Sequence, residues 1–116
     1  MLILLVEDNP VVQQVESTLL QKLGHQVIIA DRGQLALQLV SQHPFQLVLM
    51  DMELPDMSGI DTTRTMRSRG VRLPIVAITG NNTEGDKQAC RNAGMNGFLT
   101  KPIKVDQIQA VIAKYA

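Results

Sequence analysis

The chain has 116 residues, 45% hydrophobic and 19% charged. Those proportions suit one ordinary globular domain, residues 1–116, rather than a disordered segment. Eleven Lys and Arg offset eleven Asp and Glu, so no net field draws the chain to nucleic acid or an anionic membrane surface.

The first apolar run, "LILLV" (2–6), follows Met1 directly. It lacks the basic flank and length of a signal peptide, and no run nears the roughly 20 residues that cross a bilayer. A strand is expected there. Asn9 and Pro10 then make an N-cap and N1 pair, and Val12, Val15, Leu19 and Leu23 recur at helical spacing before Gly24, a C′ stop. "QVIIA" (26–30) reads as a second strand, and 33–42, with Ala36, Leu37 and Val40, as a second helix.

"LVLM" (47–50) is a third strand that stops at Asp51, with Pro55 and Gly59 shaping the turn behind it. A less amphipathic helix follows near 59–68. "PIVAI" (74–78) is the fourth strand. The helix near 83–93 contains Gly85 and the small residues Ala89 and Ala93, so it has little apolar surface to bury. It also carries the single cysteine, Cys90, which has no disulfide partner in the chain and fits a core position in a reducing, cytoplasmic setting. "GFLT" (97–100) is the fifth strand, and 104–115 the last helix, with Val105, Ile108, Val111, Ile112 and Tyr115 along one face.

None of the strands alternates cleanly with period two, which suggests burial on both faces in a parallel sheet. Five strands alternating with five helices imply a doubly wound α/β domain with right-handed crossovers, in the flavodoxin-like strand order 2-1-3-4-5. In such sheets ligands bind beyond the carboxyl ends of the strands, at the switch point.

The residues found there are Glu7 and Asp8 after strand one, Asp51 after strand three, Thr79 after strand four and Lys101 after strand five. Asp31, ending edge strand two, reads as a solvated loop residue. Each of the others has an ordinary reading too: a solvated turn, a strand-end hydroxyl, a surface lysine. Their convergence on adjacent strand ends favours a site. Three carboxylates and one lysine leave the cluster near minus two, a charge that Mg²⁺ with oxygen ligands neutralises. A carboxylate beside Mg²⁺ and a lysine is a competent phosphoryl acceptor, and Thr79 can donate its hydroxyl to a phosphoryl oxygen.

The whole chain resembles the receiver domain of two-component response regulators. "LLVEDNP" is similar to that family's acidic-pair segment, "LVLMDMELPDMSG" to its phosphoacceptor segment, "PIVAITG" to its switch-threonine segment and "AGMNGFLTKPI" to its lysine-proline segment. "VEDNPVVQQV" and "GMNGFLTKPI" look most like receivers attached to hybrid sensor histidine kinases. The resemblance implies that Asp51 is the phosphorylated aspartate and that Lys101 contacts the phosphoryl group. Glu7, Asp8, Asp51 and the backbone carbonyl of Glu53 would then hold Mg²⁺, and Thr79 and Phe98 would form the switch pair. It also implies a cis Lys101–Pro102 bond.

Receivers of this type resemble one another in meeting a histidine kinase or histidine-phosphotransfer helix. Pro10, Val11, Gln14, Pro102 and Ile103 are the expected docking residues; the alternative is that Val11 and Ile103 merely complete the core. Two departures stand out. Ser58 occupies a position where many relatives carry an acidic residue, and Phe98 lacks the tyrosine hydroxyl.

Three functional readings follow. The first is a phosphorelay receiver, not an enzyme beyond catalysing its own phosphorylation and dephosphorylation. It would be a stand-alone regulator or part of a hybrid histidine kinase, cytoplasmic in either case. The second is a binding module independent of phosphorylation. The third is a Mg²⁺-dependent aspartyl-phosphate phosphatase, which the absence of a cap-sized insertion disfavours.

Overall fold

A computed structural model describes residues 1–81 and 83–115. The elements alternate strictly: β1 (Leu2–Val6), α1 (Pro10–Lys22), β2 (Gln26–Ala30), α2 (Gly33–Val40), β3 (Leu47–Asp51), α3 (Gly59–Ser68), β4 (Ile75–Thr79), α4 (Glu84–Ala93), β5 (Gly97–Thr100) and α5 (Val105–Tyr115). All neighbouring strands are parallel, in the order β2-β1-β3-β4-β5. This is the expected doubly wound arrangement.

Successive strand residues face opposite sides of the sheet, and the two cores divide accordingly. Leu4, Val6, Val48, Met50, Ile75 and Ala77 pack with Ala36 and Leu37 of α2, Met66 of α3 and Cys90 of α4. Ile3, Leu5, Leu49, Val76, Ile78 and Leu99 pack with Leu20 of α1 and Ile108 and Ile112 of α5. β3 and β4 are buried along their whole length. β2 is not: it is an edge strand whose Gln26 and Ile29 are exposed, so burial on both faces fails where one edge has no neighbour.

Local chemistry sets the helix ends. Oδ1 of Asn9 accepts from the amides of Val11 and Val12, with Pro10 behind it. Ser58, the family departure, caps α3 by accepting from the amide of Asp61 at 3.0 Å. Thr83 and Asp86 form a reciprocal capping box on α4. α2 has no cap of its own. The Asp56 carboxylate, from the β3–α3 loop, supplies one by accepting from the amides of Gly33 (2.8 Å) and Gln34 (2.9 Å). Gly24 takes φ 92° after α1, the left-handed stop its position predicts.

Several expectations need correction. The inward stripe of α1 contains Glu16, Ser17 and Leu20, while Val15 is 62% exposed. The Val12–Val15–Leu19–Leu23 pattern is therefore turned relative to the sheet, and only part of it faces inward. Val105 is likewise 48% exposed, because the stripe of α5 centres on Ile108 and Ile112. α2 ends at Val40 rather than residue 42. β3 extends through Asp51, and β4 runs Ile75–Thr79 instead of 74–78. Pro74 has no amide to donate to a ladder, and the amide of Ile75 bonds the Asn96 side chain. On α4, Cys90 and Ala93 are the buried residues and Ala89 is exposed.

Candidate functional site

The strand register brings the polar residues together. Val6 lies opposite Met50, Asp51 opposite Ile78, and Thr79 opposite Thr100. Glu7, Asp51, Thr79 and Lys101 therefore share one rim, the carboxyl ends of four adjacent strands.

Asp51, only 3% exposed, is held at both oxygens. The amide of Glu53 donates to Oδ1 at 3.1 Å, and Lys101 Nζ lies 3.2 Å from Oδ2. Lys101 also reaches Oε1 of Glu7 at 3.6 Å. Glu7 is 1% exposed, whereas Asp8 beside it faces solvent. Oε2 of Glu7 accepts from the amide of Asp8 at 3.0 Å, and the Glu7 carbonyl accepts from the side chain of Gln13 at 2.6 Å.

The electrostatics follow from this crowding. Burial, with Asp51 alongside, pushes the Glu7 carboxyl up to about 8. For Lys101, burial alone favours the neutral amine, but Asp51, Glu7 and Glu16 together hold the ammonium above its ordinary value. The site has more negative charge than its one lysine can offset.

Glu7, Asp8 and Asp51 each offer a carboxylate oxygen, all within 4.8 Å of one another. Oε1 of Glu7 is buried without a hydrogen-bond partner. Hard oxygen donors, excess negative charge and a buried acceptor whose one close cation stands beyond hydrogen-bond range all fit Mg²⁺.

Thr79 is 5% exposed, and its Oγ1 accepts from the amide of Asn81 at 3.0 Å. Among the described residues nothing accepts its hydroxyl hydrogen. Phe98 pairs with Ala77, two residues before Thr79, so Thr79 and Phe98 project from the same face of the sheet. Phe98 is half-buried, and the Lys87 ammonium of α4 lies 5.8 Å from its ring centroid. The Lys101–Pro102 peptide bond is cis.

Beside this rim, Val11, Val12, Val15 and Leu19 of α1 with Pro102 and Ile103 line an apolar groove of about 340 Å³. Glu16 and Lys101 complete its wall. Val11 is 72% exposed and so does not complete the core, whereas Ile103 packs against the α1–α5 side. Pro10 and Gln14 are exposed on α1 but lie outside the groove lining. Sequence reasoning missed Val12, Val15, Glu16 and Leu19 here. The turned α1 stripe hides them, since spacing alone does not reveal which stripe meets the sheet.

A family model described as the response regulator receiver domain matches residues 3–113, and the chain belongs to that family. The sensor histidine kinase GacS of Pseudomonas protegens is 37% identical over 118 residues, covering 97% of this chain but 13% of that protein. This chain thus spans a small fraction of such a relative. The receiver domain of sensor histidine kinase PA1611 from Pseudomonas aeruginosa superimposes with TM-score 0.90 at 39% identity, over 98% of this chain and 95% of that one. That structure has a magnesium ion coordinated in its active-site cleft. A co-crystal of the Saccharomyces cerevisiae histidine phosphotransfer protein Ypd1 with the receiver domain of its response regulator Ssk1 matches with TM-score 0.91 and 28% identity, over 99% of this chain and 88% of that one. Among the described residues, no helix is long and apolar enough to cross a membrane.

Proposed function

We propose that this receiver domain accepts a phosphoryl group from a phosphohistidine donor onto Asp51, with Mg²⁺ held by Glu7, Asp8, Asp51 and the backbone carbonyl of Glu53. The observation that carries the reading is the buried Asp51 carboxylate paired with Lys101, next to a buried Glu7 oxygen that takes no hydrogen bond and has Lys101 only at 3.6 Å. Magnesium, when bound, neutralises charge developing on the phosphoryl oxygens.

The residues of the chain supply the rest. An Asp51 oxygen attacks phosphorus and the phosphorus–nitrogen bond to the donor imidazole breaks, its electron pair staying on that nitrogen. The ring leaves as neutral imidazole because its other nitrogen carries a proton, and an aspartyl phosphate forms. The Glu53 amide and Lys101 orient the attacking carboxylate. Lys101 then neutralises the phosphoryl oxygens, and Thr79 donates its hydroxyl hydrogen to one of them. Thr79 and Phe98, on one sheet face, carry the change toward α4, β5 and α5.

The groove beside the rim suits a donor helix that brings its phosphohistidine to Asp51, and the Ypd1–Ssk1 resemblance supports a histidine-phosphotransfer partner. The same reading makes the chain a signalling module within a phosphorelay, as a regulator or as the receiver of a hybrid kinase, with a cytoplasmic location. It acts on itself rather than turning over a separate substrate.

Incubation with acetyl phosphate and Mg²⁺, read by intact mass, tests the reading. One phosphoryl group should appear on the wild type and none on Asp51→Asn. Asp8→Asn should raise the Mg²⁺ requirement, and EDTA should abolish labelling. Undiminished labelling in EDTA refutes the metal assignment, and no labelling at all identifies a binding module instead.

A further inference from the structure

Glu16 sits where α1 faces the sheet, a place an apolar side chain fills at no electrostatic cost. It is 6% exposed, and its Oε1 is buried without a hydrogen-bond partner. Burying an unpaired carboxyl is unfavourable, so a glutamate here has consequences that a leucine does not. Glu16 and Lys101 line the same groove, yet Lys101 pairs with Asp51 and Glu7 and leaves Glu16 unpaired. Lys101 therefore has three carboxylates around it and makes ion pairs with two.

We propose that Glu16 is a positioning residue of this site, an alternative counter-carboxylate on α1 that draws Lys101 toward the groove and opposes its engagement with a phosphoryl group on Asp51. The inference rests on the phosphoacceptor reading above. Three groups share the ammonium, and only Asp51 is transformed in the reaction. Anything that weakens the pull of Glu16 leaves Lys101 freer to meet the incoming phosphoryl charge, and it removes one negative charge from the neighbourhood of an anionic donor.

The groups acting on Glu16 are few. Burial pushes its carboxyl up to about 7; Lys101, from the loop after β5, pulls it down, and Asp51, at the end of β3, pushes it up. β2, which also packs on α1, has no titratable side chain. The opposition from Glu16 is therefore strongest above neutral pH and fades below it.

Two measurements on the whole chain test this. The first follows the Glu16 carboxyl carbon by NMR titration in the wild type and in Lys101→Met. Loss of the ammonium should raise the midpoint by about one pH unit, and an unchanged midpoint overturns the electrostatic coupling of Glu16 to Lys101. The second compares acetyl phosphate labelling of the wild type and Glu16→Gln with Mg²⁺ present. At pH 8 the variant should label about threefold to tenfold faster, the range for one unit charge acting across a partly solvated site. At pH 6 the two rates should converge. Equal rates at both pH values, or a ratio that ignores pH, overturn the proposal, since a purely structural role for Glu16 gives no pH-dependent gap. If the wild type takes no label, the phosphoacceptor reading fails, and the NMR titration still decides whether Glu16 and Lys101 interact.

Discussion

Gly59 is seated directly against Asp51: a Cβ added at Gly59 would overlap the Asp51 carbonyl oxygen and lie 2.9 Å from the Cα of Met52. The amide of Gly59 donates to the Met52 carbonyl at 3.1 Å, so the first residue of α3 and the end of β3 form one tight unit. The glycine is required for close approach rather than for an unusual φ. Gly59→Ala should destabilise the fold by about 1–3 kcal/mol, the usual cost of overpacking. It should also shift Asp51 and slow acetyl phosphate labelling. Urea denaturation and labelling rates together check this, and a variant normal in both shows that the loop yields.

Val11 projects from α1 beside the groove and is 72% exposed. Val11→Asp should therefore leave stability within about 0.5 kcal/mol and labelling by acetyl phosphate nearly intact. Transfer from a phosphohistidine partner should slow, because the substitution places a charge in an apolar contact. Parallel loss of both activities would indicate misfolding rather than lost docking.

The hydroxyl hydrogen of Thr79 has no acceptor among the described residues, and Thr79 shares a sheet face with Phe98. One hydrogen bond to a charged phosphoryl oxygen contributes about 1.5–3 kcal/mol, short of the roughly 5.5 kcal/mol needed to move a population from 1:99 to 99:1. In the proposed switch, Lys101 and repacking of Phe98 would supply the remainder. α4 buries little apart from Cys90 and Ala93, so it is weakly anchored and suited to move. Thr79→Ala should still accept phosphate at Asp51. On adding Mg²⁺ and beryllofluoride, its α4 NMR shifts should reach only part of the wild-type displacement. Full displacement would remove Thr79 from the coupling route.

Glu16 also makes stability depend on pH. Its folded carboxyl titrates near 7 and its ordinary value is 4.5, so between those values the native state holds a proton that the unfolded state has lost. The contribution is fully present below about 4.5 and is lost as pH rises through about 7. In EDTA, Glu16→Gln should gain on the wild type between pH 5.5 and pH 8, by at most about 2 kcal/mol. Thermal melts at the two pH values check it, and parallel behaviour of the two proteins contradicts it. Glu7, also raised, should leave a residual slope of the same sign in both.

Much of this architecture is legible from the sequence because it depends on local, repeating signals. Continuous apolar runs separated by helical periods dictate parallel strands, and parallel strands place every carboxyl end on one rim. Residues at or just past the ends of four strands, Glu7 and Asp8, Asp51, Thr79 and Lys101, are then brought together by topology alone. Tertiary structure decided what spacing leaves open. Helical periodicity in α1 admits more than one inward stripe, and only packing against the sheet shows Glu16 inside with Val11 and Val15 outside. Adjacent Glu7 and Asp8 look alike in the sequence, yet Glu7 is held at the sheet end, its amide on the Ala30 carbonyl and its carboxylate beside Lys101, while Asp8 lies in the turn leading out to α1 and faces solvent. The cap of α2 comes from Asp56, in a loop more than twenty residues away. These features depend on contacts between distant segments, which no local pattern encodes.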